Sequence, residues 1–323
     1  MKRRTLLQAL PAVPLLGRTA WAADSYPNKP IRIIIGYAAG GAGDLVMRII
    51  GPKLAARLGQ PVVIENRPGA GGISASQVAL SSPADGYTLV LAAGGNFGIA
   101  PVLFKSLPYD PVKDFDMVAQ AASFAYVFAV NADSRFKKLQ DLIDYAKANP
   151  GKLNIGTIQV GSGQYFAAEL FKSMVGIKAL TVPYRTSGDV IAAVRSGDAD
   201  VMIETIAPLM GQIRSGAMRA LATTGPDVFP GLPDVPAITK TLVPGYVVAA
   251  WNGLAARAGT PKPVINRLDR EIAAILKEED VQKAFIELGT VAQYGGPEVL
   301  RGHMMEDIER WAKVMQDIHM EKQ

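Results

Sequence analysis

The amino-acid sequence predicts an α/β protein of two lobes joined by two crossing strands. Three observations predict it. Short apolar stretches alternate with helical patterns along most of the chain, which is the mark of βαβ units and a mostly parallel sheet. One local arrangement, a strand that runs into a glycine-rich loop and then a helix start, occurs at 31–44 and again at 153–165. Two extended apolar stretches, Phe124–Asn131 and Val247–Ala255, stand where one series gives way to the next and where the chain returns.

The elements follow in order. Ile31–Ile35 is apolar apart from Arg32 and reads as a strand buried on both faces. Gly36, Gly40, Gly41 and Gly43 crowd the loop behind it, and Asp44 is expected to cap a helix through Leu58. Gly51-Pro52 inside that helix should kink or break it. Pro61–Glu65 is the next strand, Ser74–Leu80 a helix, and Tyr87–Ala92 a strand that ends in Gly94-Gly95-Asn96. After Phe124–Asn131 come a helix at Leu139–Ala148, a strand at Leu153–Thr157 and the loop Gly161-Ser162-Gly163-Gln164. A helix over Tyr165–Val175, a strand over Ala179–Pro183 and a helix from Ser187 to Val194 continue the series. Ala199–Ile203 and Ala217–Thr223 are strands on either side of a short helix at Leu209–Arg214. Helices at Pro263–Leu276, Asp280–Leu288 and Pro297–Ile318 complete the chain.

The first 22 residues have the build of an export signal. Lys2, Arg3 and Arg4 precede a short apolar stretch, and Ala20-Trp21-Ala22 is a small-x-small cleavage site. Arg3-Arg4 fits a twin-arginine signal as well as an ordinary Sec signal. Either route implies a periplasmic protein. Four basic residues and no acid leave with the signal, so the formal charge falls from +5 to +1. The basic balance therefore gives no argument for nucleic-acid binding or for a polybasic membrane surface. The chain has no cysteine, which excludes disulfides, lipid anchoring through cysteine and thiolate metal sites. The expected organisation is a signal peptide at 1–22, a first lobe from 23–124 and 247–323, and a second lobe from 125–246.

A strand, a glycine loop and a helix start gather unpaired N–H groups at the positive end of a helix dipole, where an anion is favoured. The same pattern also serves ordinary βα turns. In parallel sheets, ligands bind outside the carboxyl ends of the strands, which is where Gly36–Gly43 and Gly94–Asn96 fall. Catalysis has little support. The two histidines, His303 and His319, both lie in the last helical region, and neither H-E-x-x-H nor G-x-S-x-G is present. No metal and no cofactor is expected.

Nine segments in one order carry a family resemblance. They include YPNKPIRIIIGYAAGGAGD at 26–44, LGQPVVIENRPGAGG at 58–72, ADGYTLVLAAGG at 84–95, LPYDPVKDF at 107–115 and VPYRTSGD at 182–189. The others are PGKLNIG at 150–156, AAELFKSMVG at 167–176, LPDVPAI at 232–238 and GLAARAGTP at 253–261. By these the chain resembles the Bug family, the substrate-binding proteins of tripartite tricarboxylate transporters. The resemblance implies the type II periplasmic binding protein fold, a Venus flytrap that closes on a small organic carboxylate. It implies delivery of that carboxylate to membrane transporter subunits of the tripartite tricarboxylate type, by a protein expected to be a monomer. A ligand sensor that signals to a membrane kinase would need the same pocket.

Carried over from the family, Tyr37, Ala38, Ala39, Gly40, Gly41 and Asp44 form one wall of the site. Gly161, Ser162, Gly163 and Gln164 form the other, and Asn96 and Thr205 contribute from neighbouring strand ends. Asp44 reads equally as a plain helix cap, and Tyr37 as packing. Three departures fall on this site. The family's Pro-Phe-Ala-Pro-Gly-Gly is Gly36–Gly41 here, its serine–histidine pair is Gln164-Tyr165, and its Asp-Asn is Glu204-Thr205. Glu204 would repel a carboxylate, which points to a polar or cationic ligand group or to a place outside the cleft.

Overall fold

A computed structural model describes residues 26–323; the expected signal peptide and its cleavage site lie outside the described residues. The chain runs β1 (Ile31–Ile35), α1 (Ala42–Leu58), β2 (Val62–Asn66), α2 (Ile73–Ser81) and β3 (Thr88–Ala93). A single π-helical turn over Gly94–Ile99 leads into α3 (Ala100–Leu103) and then β4 (Phe115–Asn131). Next come α4 (Leu139–Ala148), β5 (Asn154–Ile158), α5 (Gly163–Val175), β6 (Leu180–Tyr184), α6 (Ser187–Ser196) and β7 (Val201–Thr205). The remainder is α7 (Met210–Arg214), β8 (Met218–Thr223), β9 (Ala249–Arg257), α8 (Lys262–Ile275), α9 (Glu279–Glu287), β10 (Val291–Gly295) and α10 (Pro297–Asp317).

The hydrogen-bonded order is β2-β1-β3-β9-β4-β7-β5-β6, and β8 and β10 also pair with β4. The β1–β2, β1–β3, β5–β6 and β5–β7 pairs are parallel, as helix-linked strands should be. β4 joins the lobes. Its first half, from Phe115 to Ala125, pairs antiparallel with β9, and its second half pairs with β7 and β8. Behind this crossing, Thr224 ties the strands together: its Oγ1 accepts from the Tyr126 amide at 2.8 Å and donates to the Val248 carbonyl at 2.6 Å.

Each lobe has its own apolar core. One is built on Ile31, Ile33, Met47, Ile50, Leu89 and Leu268, the other on Phe128, Phe166, Phe171, Ile203 and Tyr246. α10 belongs to both sides of the crossing. Leu300 and Met304 pack on the first lobe, whereas Trp311, Val314 and Met315 join the second lobe's core.

Four local expectations change. α1 begins at Ala42 with Gly41 as its N-cap, which puts Asp44 at the third helical position and not at the cap. Pro52 does not break α1. It lies on the exposed face, so the one hydrogen bond it removes falls where water can supply another. Its neighbour Gly51 serves packing, because a Cβ there would lie 3.1 Å from Ile64 on β2. β4 starts nine residues before the apolar run at Phe124, and β10 is a strand where no strand pattern was visible.

Candidate functional site

The loop after β1 is held from inside. Asp44 accepts from the Gly40 amide at 2.9 Å, from Arg48 Nε at 2.9 Å and from Asn66 Nδ2 at 3.0 Å. Burial pushes its carboxyl pKa up, but the bonds from Arg48, Gly40 and Asn66 together outweigh burial and hold it below the ordinary carboxylate range. Gly40 has φ +83°, a left-handed conformation that suits glycine. Asn66 also donates to the Tyr37 carbonyl at 3.2 Å. These ties leave Ala38, Ala39 and Gly40 exposed on the rim. Among the described residues, the first-turn amides of Ala42, Gly43 and Asp44 have no hydrogen-bond acceptor. The loop thus leaves unpaired donors at the positive end of a 17-residue helix.

Tyr37 leans inward, with its hydroxyl 3.4 Å from the Gly71 carbonyl and 3.5 Å from Asn96 Oδ1. Burial pushes its ionisation well above the ordinary phenol range. Asn96 is fully buried. Its Oδ1 accepts from the Ala93 amide and its Nδ2 donates to Leu91 O and Ser76 Oγ. It therefore fixes the π-helical turn and backs Tyr37; its side chain does not open on the cleft.

The second loop is built alike. Ser162 caps α5: its Oγ accepts from the Tyr165 amide at 3.1 Å and donates to the Ile158 carbonyl at 3.2 Å. Gln164, Thr205 and Ser187 converge on Glu204. Oε1 of this buried carboxylate accepts from Gln164 Nε2 at 2.7 Å, from the Thr205 amide at 2.6 Å and from Thr205 Oγ1 at 3.0 Å. Oε2 accepts from Ser187 Oγ at 2.9 Å. Burial raises the Glu204 pKa despite these four hydrogen bonds, which pull it down. Gln164 is in the first turn of α5 and Ser187 in the first turn of α6, so the positive ends of two helices point at one protein carboxylate.

Tyr126 stands between the loops, on the crossing strand, and is a residue sequence reasoning missed. A Cβ built on Gly163 would overlap its hydroxyl, and that hydroxyl makes no hydrogen bond to any described residue. Burial raises its ionisation, and the Asp307 and Glu204 charges and the Tyr37 phenol lie close enough to raise it further. At the mouth, a Cβ on Gly161 would come within 2.6 Å of Leu103 Cδ2, so the lobes touch there. On the far side Trp251 donates to Asp307 at 2.8 Å, which ties β9 to α10. The carboxyl pKa of Asp307 is raised by burial, against Arg310, Trp251 and His303. Arg185 is exposed to solvent. Two surface hollows lie elsewhere. One, of about 470 Å³, is lined by Arg214, Met218, Arg219 and Asp234; the other lies beside Ser74, Gln77 and Pro108. Neither includes a residue of the facing loops.

Two α/β lobes on crossing strands, each with a glycine loop at the end of a parallel strand, define the class of two-lobed solute-binding proteins. Residues 46–320 match the family model described as "Tripartite tricarboxylate transporter family receptor", and the chain belongs to that family. It is 32% identical over 297 residues to Protein BugT of Bordetella pertussis, covering 92% of this chain and 91% of that one. Two solved structures of Rhodopseudomonas palustris proteins share the fold. One is Rpa4515 with adipate, with TM-score 0.86 and 29% identity over 91% of this chain and 98% of the other. The other is MatC with bound malate, with TM-score 0.81 and 30% identity over 90% and 99%. The protein has a solute-binding role and is not an enzyme. Among the described residues no helix is long and apolar enough to cross a membrane.

Proposed function

We propose that the protein captures a small organic carboxylate in the periplasm, between the loop after β1 and the loop after β5, and hands it to a tripartite tricarboxylate-type membrane transporter. One observation carries this reading. The β1–α1 loop is braced by Asp44 so that the amides of Ala42, Gly43 and Asp44 stand open at a helix N-terminus. The carboxylate of the ligand rests there, bordered by Ala38, Ala39, Gly40 and Gly41, and Tyr37 closes the inner side. Asp44 and Asn96 hold this wall in shape from behind. Gly161, Ser162, Gly163, Gln164 and Thr205 form the opposing wall on the second lobe. An export signal over residues 1–22 brings the chain to the periplasm, where it acts as a monomer. The first lobe is 23–124 with 247–323, and the second is 125–246. Closure of the lobes traps the ligand and presents a joint surface to the membrane subunits. The adipate and malate of two relatives' structures support a carboxylate as the cargo.

A thermal-shift screen of the mature chain against a carboxylate panel tests this. A ligand at 100 times its dissociation constant adds about 2.7 kcal/mol, or roughly 4 °C in melting temperature. Gly41→Val fills the rim where the backbone has room, with the nearest neighbour of its Cβ 3.4 Å away. It should melt within a few degrees of wild type and show no ligand shift. A full shift in that variant, or no shift with any carboxylate in the wild type, refutes the proposal.

A further inference from the structure

The side chains of the second wall do not mirror those of the first. The donors around Glu204 are spent on the chain's own carboxylate: Gln164 Nε2, the Thr205 amide and hydroxyl, and Ser187 Oγ all bond it, while the Gly163 and Gln164 amides at the start of α5 have no acceptor among the described residues. An ionised carboxylate can only accept, so the Gln164 amide must turn its NH2 toward Glu204. Its carbonyl Oε1 is then the group left over, and it makes no hydrogen bond to any described residue. Gln164 sits beside Gly163, which lies against the unpartnered Tyr126 hydroxyl between the lobes. Glu204 itself is buried and bonded to Gln164, and while ionised it adds a negative field there. A second carboxylate arriving at the Gln164 side chain would meet an acceptor and a buried carboxyl, offset by the unpaired Gly163 and Gln164 amides at the start of α5. A donor would meet both favourably.

We propose that Glu204 makes the second lobe an acceptor wall and so selects a carboxylate whose far end carries a hydrogen-bond donor, an ammonium or similar group, over a dicarboxylate. Glu204 acts as a positioning residue, through the orientation of Gln164 and through its charge. The inference rests on the carboxylate-capture reading above and names the ligand class within it.

Calorimetry on the mature chain tests it with matched pairs. Dicarboxylates of four to six carbons are titrated against ω-amino carboxylates of equal length, and terephthalate against 4-(aminomethyl)benzoate. The wild type should favour the amino member of its best pair by about tenfold or more, the range expected for satisfying rather than mispairing a buried amide. Glu204→Gln frees the Gln164 amide to flip and removes the charge, so the preference should shrink at least about fivefold or reverse. Gln164→Leu deletes the acceptor and should narrow the preference similarly. A wild type that prefers the dicarboxylate overturns the inference. So does a preference that survives both Glu204→Gln and Gln164→Leu, and so does failure of every pair to bind. Carboxylate capture itself stands or falls separately, on the broader melting screen.

Discussion

Replacing Gly163 by alanine should destabilise the protein, although elementary propensity predicts the reverse. Gly163 is the first residue of α5 and has no positive φ, so alanine there would normally stabilise by about 0.4–1 kcal/mol. The structure forbids that gain. The new Cβ would overlap the Tyr126 hydroxyl and lie 2.9 Å from Tyr126 Cζ, and Tyr126 is fixed in a strand paired on both sides. Overpacking of this kind costs about 1–3 kcal/mol, or roughly 2–5 °C in melting temperature. Tyr126→Phe removes the overlapping oxygen but keeps the ring. The double variant should therefore recover part of the loss, with a coupling of about 0.5–2 kcal/mol. Urea denaturation of the four proteins, with equal m-values as the check, measures it. If Gly163→Ala stabilises, or if its effect is the same with tyrosine and with phenylalanine at 126, the contact between the second glycine loop and the crossing strand is wrong.

Two further predictions follow from the polar contacts. Asp44→Ala should cost about 1.5–3 kcal/mol, because three donors lose a charged acceptor. Since the folded pKa of Asp44 is lowered, its contribution is complete above the unfolded carboxylate value and is lost as pH falls through the folded one; an acid titration of stability should show that step weakened in Asp44→Asn. Trp251→Phe should cost about 1–3 kcal/mol by stranding Asp307 Oδ2 in the interior, and a melting curve as steep as the wild type's but at unchanged temperature would count against that bond.

The parts of the fold with strong local patterns were legible. α4 falls on the residues its apolar spacing marks, and the strands leading into both glycine loops lie within a residue or two of expectation. The first half of β4 was not legible, because Ala119, Ala121 and Ala122 carry little intrinsic strand preference and are held extended by β9 and β10. Register shifts near Ala119 and Ala122 blur the alternation further. β10 escaped for a related reason: it is a five-residue edge strand that, among the described residues, pairs with β4 alone. At the site, the glycine loops announced themselves through composition. Tyr126 did not, since in FAYVFAVN it reads as one more core aromatic, and only its place at the crossing sets its hydroxyl between the lobes. Glu204 stood out in sequence as a misplaced charge. Its partners Gln164 and Ser187 lie 40 and 17 residues away and meet it only when α5 and α6 point at one strand end.

The most direct test of the account is a crystal structure of the mature chain with the carboxylate that raises its melting temperature most. The prediction is a carboxylate whose oxygens lie within hydrogen-bond distance, about 2.7–3.2 Å, of the open amides at Ala42–Asp44, with the rest of the ligand between Tyr37 and Gln164. A ligand seated instead in the hollow beside Arg214 and Arg219, with the β1–α1 loop bare, would contradict it.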